Sequence, residues 1–465
     1  MTAYMKGSNA TGGNITDSFV DDLYNVSQTT HSDSTVLQAK QCILDYLGVT
    51  LAGARVFSER GNELLDSFHT NNGETTVIGF CRKSSMEQAA LINGMSSHIV
   101  ELDDGERFGS IHPGAPILSA LFPIVEREKR SGSDLLTGVI TGYEAAIRLA
   151  RMIQPAHRSK GFHATGTCGC IGAAMGVAAA LGFSRDQMKH SLSSAATSAA
   201  GMLQVIADAS ELKPYNAGRA ALDGLSAALV ARANIRGPDD ILGDKMGFLS
   251  MMGDSSDFSC VELSTPNAPA IEQIYRKQYA ACRHCHSAIE AIVNMRRKFG
   301  FQASDVQSIT VITYQFAADH LHCHTLARGV ASAKMSIPYS VAAALLSGDA
   351  EPLDSSSEVQ DAETVALAQK VQVHHDDELT KRMPKELPAI VEVTLCNGSV
   401  YKEQVDLPKG EPERPFSTVE LEEKFVRLAT YGGQVSQEEV ATIIRSVWNI
   451  ENNMDKLLNC LYFSS

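Results

Sequence analysis

From Asp17 to about Arg236 apolar residues return every three or four positions, broken by Gly, Pro or Ser-Asp clusters, which is the period of amphipathic helices. Ser34 to Leu51 is a clear case, with Val36, Ala39, Ile43 and Leu47 on one stripe. The same pattern predicts helices over Ser85 to His98, Ala115 to Lys129, Ser133 to Ile153, Thr167 to Leu181, Arg185 to Val205 and Gly218 to Ala233. Strand-like alternation is almost absent from this half. Gly166 to Leu181 and Leu192 to Gly201 are dense in Gly, Ala and Ser, a composition that lets helix backbones approach closely.

After about Pro266 the period changes to two. Val306 to Tyr314 alternates Ile and Val with polar residues, and Ala389 to Cys396 does so again before Asn397-Gly398 and Ser399 to Leu407. Asn-Gly between two alternating runs predicts a hairpin with a type I′ turn. Helices over Cys285 to Phe299 and Ser336 to Leu346 complete a small α/β domain. Lys409 to Pro415, with two Pro and alternating charges, reads as a linker. Ser417-x-x-Glu420 and Ser436-x-x-Glu439 are then capping boxes that open two further helices. The fold class expected is therefore mainly α: a helical domain from residues 17–265 and 416–465, interrupted by an α/β domain at 266–415. A cleft between two such units is a common place for a small molecule.

Met1 to Thr16 is polar and lacks an apolar segment after a charged start, so it is expected to be a flexible extension rather than a secretory signal. The glycosylation triplets at Asn9, Asn14 and Asn25 are then expected to stay unmodified. No apolar run approaches the roughly 18 residues of a spanning helix. Ten Cys in 465 residues make no disulfide framework, which points to a reducing, cytoplasmic compartment. The net charge of −14 argues against nucleic acid and membrane surfaces as partners.

Four segments carry candidate chemistry. Asn93 to Pro113 crowds Glu101, Asp103, Asp104, Glu106, Arg107 and His112 into a dozen residues; carboxylates beside a His can hold its tautomer, although a solvated acidic loop has the same pattern. Lys160 to Gly169 places His163 at the start of a small-residue helix, where an anion is stabilised; a core or capping His fits as well. Its glycine spacing is neither that of a dinucleotide loop nor that of a P-loop. Lys213 precedes a helix that contains Arg219, in a place where a Lys is usually a surface residue. Lys277 to His286 holds Cys282, Arg283 and His284 and runs into a helix. Cys282-x-x-Cys285 with His320, His322 and His324 invites a zinc reading, but the two groups lie about 35 residues apart instead of the usual dozen and a half. So many cations at element boundaries of an acidic chain imply a small anionic substrate, most simply a polycarboxylate.

Six stretches together, ILDYLGVTLAGAR, NGMSSHIVELDDGERFGSIHP, GFHATGTCGCIGAA, ELKPYNAGRAALDGL, KQYAACRHCHSAIEA and KMSIPYSVAAALL, resemble the MmgE/PrpD family, which includes 2-methylcitrate dehydratase, cis-aconitate decarboxylase and iminodisuccinate epimerase. The resemblance implies a helical main domain, an α/β lid, a homodimer and catalysis without metal or organic cofactor. It implies that His112, His163, Lys213, Lys277 and Tyr339 fall on active-site positions and that Asp103 and Asp104 match the family's Asp-Asp pair. Gly105-Glu106-Arg107 departs from it, since decarboxylating members can carry Thr directly after that pair. On this basis Lys213, Lys277 and Arg107 are expected to pair with substrate carboxylates, His163 or His112 to move a proton, and Tyr339 to be a second donor. Arg219, Cys282, Arg283 and His284 are expected beside the substrate. The reaction expected is that of a lyase, with an epimerase as the alternative. A metal-dependent hydrolase built on the Cys/His groups, or a binding module for anionic metabolites, would be a different class.

Overall fold

The computed structural model describes residues 14–68, 73–207, 210–254, 269–322, 329–348 and 361–462. Helix α1 (Ile15–Gln28) starts inside the stretch expected as an extension: Asn14 caps it, and Thr16 is buried against Asp240. Thirty-five residues then form α2 (Asp33–Ser67), longer than the periodicity suggested, and α3 (Met86–Ile99) follows a short hairpin, β1 (Thr75–Val77) and β2 (Arg82–Ser84). Three-residue strands are too short for alternation to show, which is why the sequence hides them.

The centre of the helical part is α4 (Gly114–Arg127), α5 (Gly132–Ile153) and α6 (Ala164–Ala180), the last with every residue buried. A helix apolar all round must be enclosed by others, and glycine sets how closely. A Cβ on Gly138 or Gly142 of α5 would stand 2.8 Å from the carbonyl oxygen of Gly176 or Gly172 on α6. Helix α7 (Arg185–Ser198) stops earlier than the expected Val205, because the chain must turn across the start of α6: His163 N–H donates to Gly201 O at 3.0 Å, and a Cβ on Gly166 would meet Ala200 O at 2.4 Å. Helix α8 (Lys213–Arg232) crosses α3 where Gly94 faces Gly218, 2.6 Å from an added Cβ to the facing Cα. These close crossings bring the starts of α6 and α8 to the end of α3.

The second half contains α9 (His286–Phe299), β3 (Val306–Thr313), α10 (Ile337–Ser347), β4 (Val371–His375), β5 (Ala389–Leu395) and β6 (Val400–Val405). The sheet order is β4-β3-β5-β6, with β3 and β4 parallel and the other pairs antiparallel. The β5–β6 connection is not the type I′ turn expected. Only Gly398 has positive φ (+84°), and its N–H donates to Leu395 O at 2.9 Å, so Asn397 stays right-handed and the glycine closes a longer loop. One apolar core gathers residues between Phe19 and Ile274 with Leu421–Leu461 of the C-terminal helices α11 (Thr418–Gly432), α12 (Gln437–Trp448) and α13 (Ile450–Leu461). A separate core runs from Tyr279 to Val405. Both C-terminal capping boxes form, on Ser417/Glu420 and Ser436/Glu439.

The stretch read as a linker is packed instead. Arg276 N–H donates to Gly410 O at 2.9 Å, and Glu411 is fully buried between arginines. Its charges are internal partners, which composition alone could not distinguish from solvated ones. Among the described residues no helix is long and apolar enough to cross a membrane, and eight cysteines are free thiols.

Candidate active site

Helix α3 ends at Ile99, and the chain turns sharply because Glu101 adopts left-handed backbone (φ +56°). That conformation is costly for a side chain with a Cβ and is held by what the carboxylate binds. Glu101 accepts hydrogen bonds from two ammonium groups, Lys213 Nζ from the first position of α8 and Lys277 Nζ at 3.0 Å. All three side chains are buried. Burial, and then the neighbouring Lys277 charge, push Lys213 well below the ordinary lysine range; burial also lowers Lys277, against the pull of Asp103, whose Oδ1 lies 3.9 Å away.

Three imidazoles meet beside this clamp. The His98 ring lies 5.1 Å from that of His112 and 6.1 Å from that of His163. His98 Nδ1 bonds Asp103 Oδ2 at 2.6 Å. His112 Nδ1 lies 2.6 Å from the Asp104 carbonyl oxygen, which can only accept, so the proton sits on Nδ1 and Nε2 carries the lone pair. His163 is the reverse. Asn216 Nδ2, identified as the amide nitrogen because it also faces the Met202 carbonyl, donates to His163 Nδ1 at 3.2 Å and leaves the proton on Nε2. Burial depresses both rings, His112 well below its usual value and His163 to about 3, the latter with help from Arg158. Both are neutral near pH 7, one presenting an acceptor and the other a donor.

A cavity of about 360 Å³ opens here, lined by Glu101, His112, His163 and Lys213 from the helical half and by Cys282, His284, Phe316 and Leu387 from the second half. Small-molecule pockets are commonly of this size.

Residues 19–261 match the MmgE/PrpD N-terminal domain and residues 279–450 the MmgE/PrpD C-terminal domain. The chain belongs to the MmgE/PrpD family. It is 26% identical to a cis-aconitate decarboxylase-like protein of Aspergillus oryzae, over 95% of this chain and 96% of that protein. It is 26% identical to cis-aconitate decarboxylase of Aspergillus terreus over 99% of both, and 24% identical to the human cis-aconitate decarboxylase over 95% of this chain and 92% of that one.

Within this MmgE/PrpD chain the expected site residues divide into three groups. His112, His163, Lys213, Arg107, Cys282, Arg283 and His284 line the cavity. Lys277, Asp103 and Asp104 stand behind the lining: Asp104 accepts from Tyr143 Oη at 2.5 Å and Gly114 N at 3.0 Å, and burial raises its pKa to about 7. Tyr339 and Arg219 do not line it. Tyr339 is buried in the first turn of α10 beside Ala333, and Arg219 is half exposed and paired with Asp223 at 3.1 Å. Arg107 lines the cavity with its charge already engaged by Glu411 (2.6 Å) and Glu413, and Arg283 by Glu411 (2.6 Å). His284 Nδ1 lies 2.5 Å from Tyr314 Oη.

Sequence reading passed over His98, Arg158, Tyr275 and Glu411, and took Glu101 only as one acid of a crowded loop. His98 and Glu101 lay within a segment already singled out, but nothing in their spacing announces a left-handed turn. Among the described residues, His98, Asp103 and His112 are the group whose metal-ligand atoms come together, within 4.8 Å; the Nδ1 atoms of both rings are already hydrogen-bonded. Cys282, Cys285, His320 and His322 form no such group among the described residues, and His324 lies outside them.

Proposed function

We propose that this protein is a lyase that removes CO₂ from a small di- or tricarboxylic acid of the cis-aconitate type, with its own side chains supplying the proton chemistry. The observation that carries the reading is the opposed protonation of two histidines on one cavity: the bare Nε2 of His112 and the Nε2–H of His163, beside the Lys213 ammonium. The names of the family relatives at about one-quarter identity favour decarboxylation over the other reactions of the family.

Loss of CO₂ leaves the bonding electron pair on the adjacent carbon, and the Lys213 and Lys277 ammonium groups lower the cost of that negative charge in a site shielded from water. The carbanion then takes a proton. Arrival of a substrate carboxylate raises the pKa of a buried imidazole, because an opposite charge stabilises the imidazolium. His163 then donates from Nε2, with Asn216 turning its amide oxygen toward the newly protonated Nδ1. His112 holds water or the second face of the substrate through its lone pair, where removal of a proton would give exchange, dehydration or inversion instead.

The test is incubation with a panel of di- and tricarboxylates in deuterated water, followed by NMR. CO₂ loss with one deuterium placed on carbon is expected from cis-aconitate. Water loss or inversion without CO₂ would replace the reading by a dehydratase or an epimerase. His163→Ala and Lys213→Ala should each abolish turnover in protein with a native circular dichroism spectrum; full turnover in either variant removes the residue from the mechanism.

A further inference from the structure

Every Lys and Arg in the cavity lining or directly behind it, as named above, is answered by a protein carboxylate among the described residues, with one exception. Glu101 and Asp103 stand against Lys213 and Lys277, and Glu411 and Glu413 stand against Arg107 and Arg283. The histidines are depressed by burial and carry no charge near pH 7.

Arg158 is the exception. It comes from the short helical turn Ala156–Ser159, five residues before His163, and reaches the cavity wall. Its guanidinium carbon lies 4.2 Å from the centroid of the Phe316 ring. Among the described residues no carboxylate pairs with its guanidinium and no side-chain acceptor takes the guanidinium N–H groups, while its backbone N–H donates to Gln154 Oε1 at 3.3 Å. A guanidinium over an aromatic ring spends none of its N–H groups on that contact, so they can still meet a carboxylate through two parallel bonds. Its charge is felt across the cavity, lowering the pKa of both His163 and His284.

We propose that Arg158, seated on Phe316, binds a second carboxylate of the substrate, separate from the one beside Lys213, and so makes the cavity select polycarboxylates over acids that lack this arm. The assignment rests on the cavity being a polycarboxylate site, and it concerns binding, so turnover is not its measure.

Isothermal titration with two unreactive probes tests it: tricarballylate, and methylsuccinate, which lacks one terminal carboxylate. Wild-type protein should prefer tricarballylate. Arg158→Gln should weaken tricarballylate by about 10- to 100-fold, the size of a charged hydrogen-bonded contact, and leave methylsuccinate nearly unchanged, with Arg158→Lys recovering part of the loss. The melting temperature of the ligand-free variants should match wild type. Equal losses for both probes, no loss for tricarballylate, or a wild-type protein that binds neither probe would each overturn the assignment. Selectivity lost in Arg158→Gln, in a protein that decarboxylates nothing, would uphold Arg158 and remove only the proposed reaction; decarboxylation with undiminished tricarballylate affinity in Arg158→Gln would do the reverse.

Discussion

Gly105 and Tyr275 face one another across a two-hydrogen-bond bridge, Gly105 N to Tyr275 O at 3.0 Å and Tyr275 N to Gly105 O at 2.9 Å, with no room for a side chain between them. A Cβ on Gly105 would stand 2.3 Å from the Tyr275 hydroxyl. Tyr275 also lines the cavity, with the Arg283 guanidinium 4.5 Å from its ring centroid. Glycine at position 105 is therefore required by the tyrosine opposite. Gly105→Thr should push the ring aside, cost about 1–3 kcal/mol in urea unfolding as overpacking does, and reduce turnover. In a Tyr275→Ala background the same substitution should cost little further, because coupled neighbours are non-additive. Additive losses would break the link between the two positions.

Glu101 is the only carboxylate among the described residues in hydrogen-bonding contact with either Lys213 or Lys277. Glu101→Gln keeps the shape and leaves two buried ammonium groups without their shared counter-charge. Breaking a buried pair by removing one partner costs about 3–5 kcal/mol, so the denaturant midpoint should fall by a corresponding amount. Turnover should fall as well, since both lysines would shed protons and with them the charge that stabilises the carbanion. A variant with the wild-type midpoint would show that Glu101 carries no such burden.

Acid should destabilise the protein through its histidines. Burial holds His163 and His284 at about 3 and His157 at about 4, below the unfolded value of about 6.5. Between those limits the unfolded chain binds protons that the folded chain refuses, so stability is full above about pH 6.5 and falls as pH drops toward the folded values. Asp104 acts in the opposite sense, since its pKa of about 7 lets the folded state hold a proton that the unfolded state gives up above about pH 4. Each histidine is worth up to about 1.4 kcal/mol per pH unit, and the buried histidines, with His98, His112 and His286 also lowered, outnumber the acids raised by burial, Asp103, Asp104 and Asp223, so acid loss is the net outcome. Urea midpoints measured from about pH 7 down to about pH 5 should decline, and His163→Gln should flatten the decline. A midpoint that rises on acidification would contradict the burial of these rings.

How much of this was legible in the sequence differs by kind of feature. Helices with a strong apolar period, such as Gly132–Ile153, appear within a residue or two of their expected limits, because burial of one face depends on local spacing. The convergence of His112, His163 and Lys213 on one wall could be anticipated only through the family resemblance, since it depends on glycine crossings between helices distant in sequence. Charge pairing was not legible at all. Arg107 and Arg283 look like free cations until Glu411, about 304 and 128 positions away, is seen between them, and Glu101 looks like one acid among several until its backbone turns left-handed.

The C-terminal helix α11 reaches the loop that carries Glu101 through Lys424. Lys424 Nζ donates to Asp45 Oδ1 at 2.6 Å and to the Leu102 carbonyl at 3.0 Å, both buried, so the loop between Glu101 and Asp103 hangs from a residue more than 300 positions later in the chain. These two contacts can be separated. Lys424→Met strands the Asp45 carboxylate in the core and should cost about 3–5 kcal/mol. Adding Asp45→Leu removes the stranded charge, and replacing a buried pair by apolar groups of similar volume is often neutral or better, so stability in urea should largely return. The Leu102 carbonyl stays without its donor in both variants. Turnover should therefore remain low in the stable double variant, because the backbone that positions Glu101 against Lys213 and Lys277 has lost its tether; wild-type turnover there would show that Lys424 serves the fold alone.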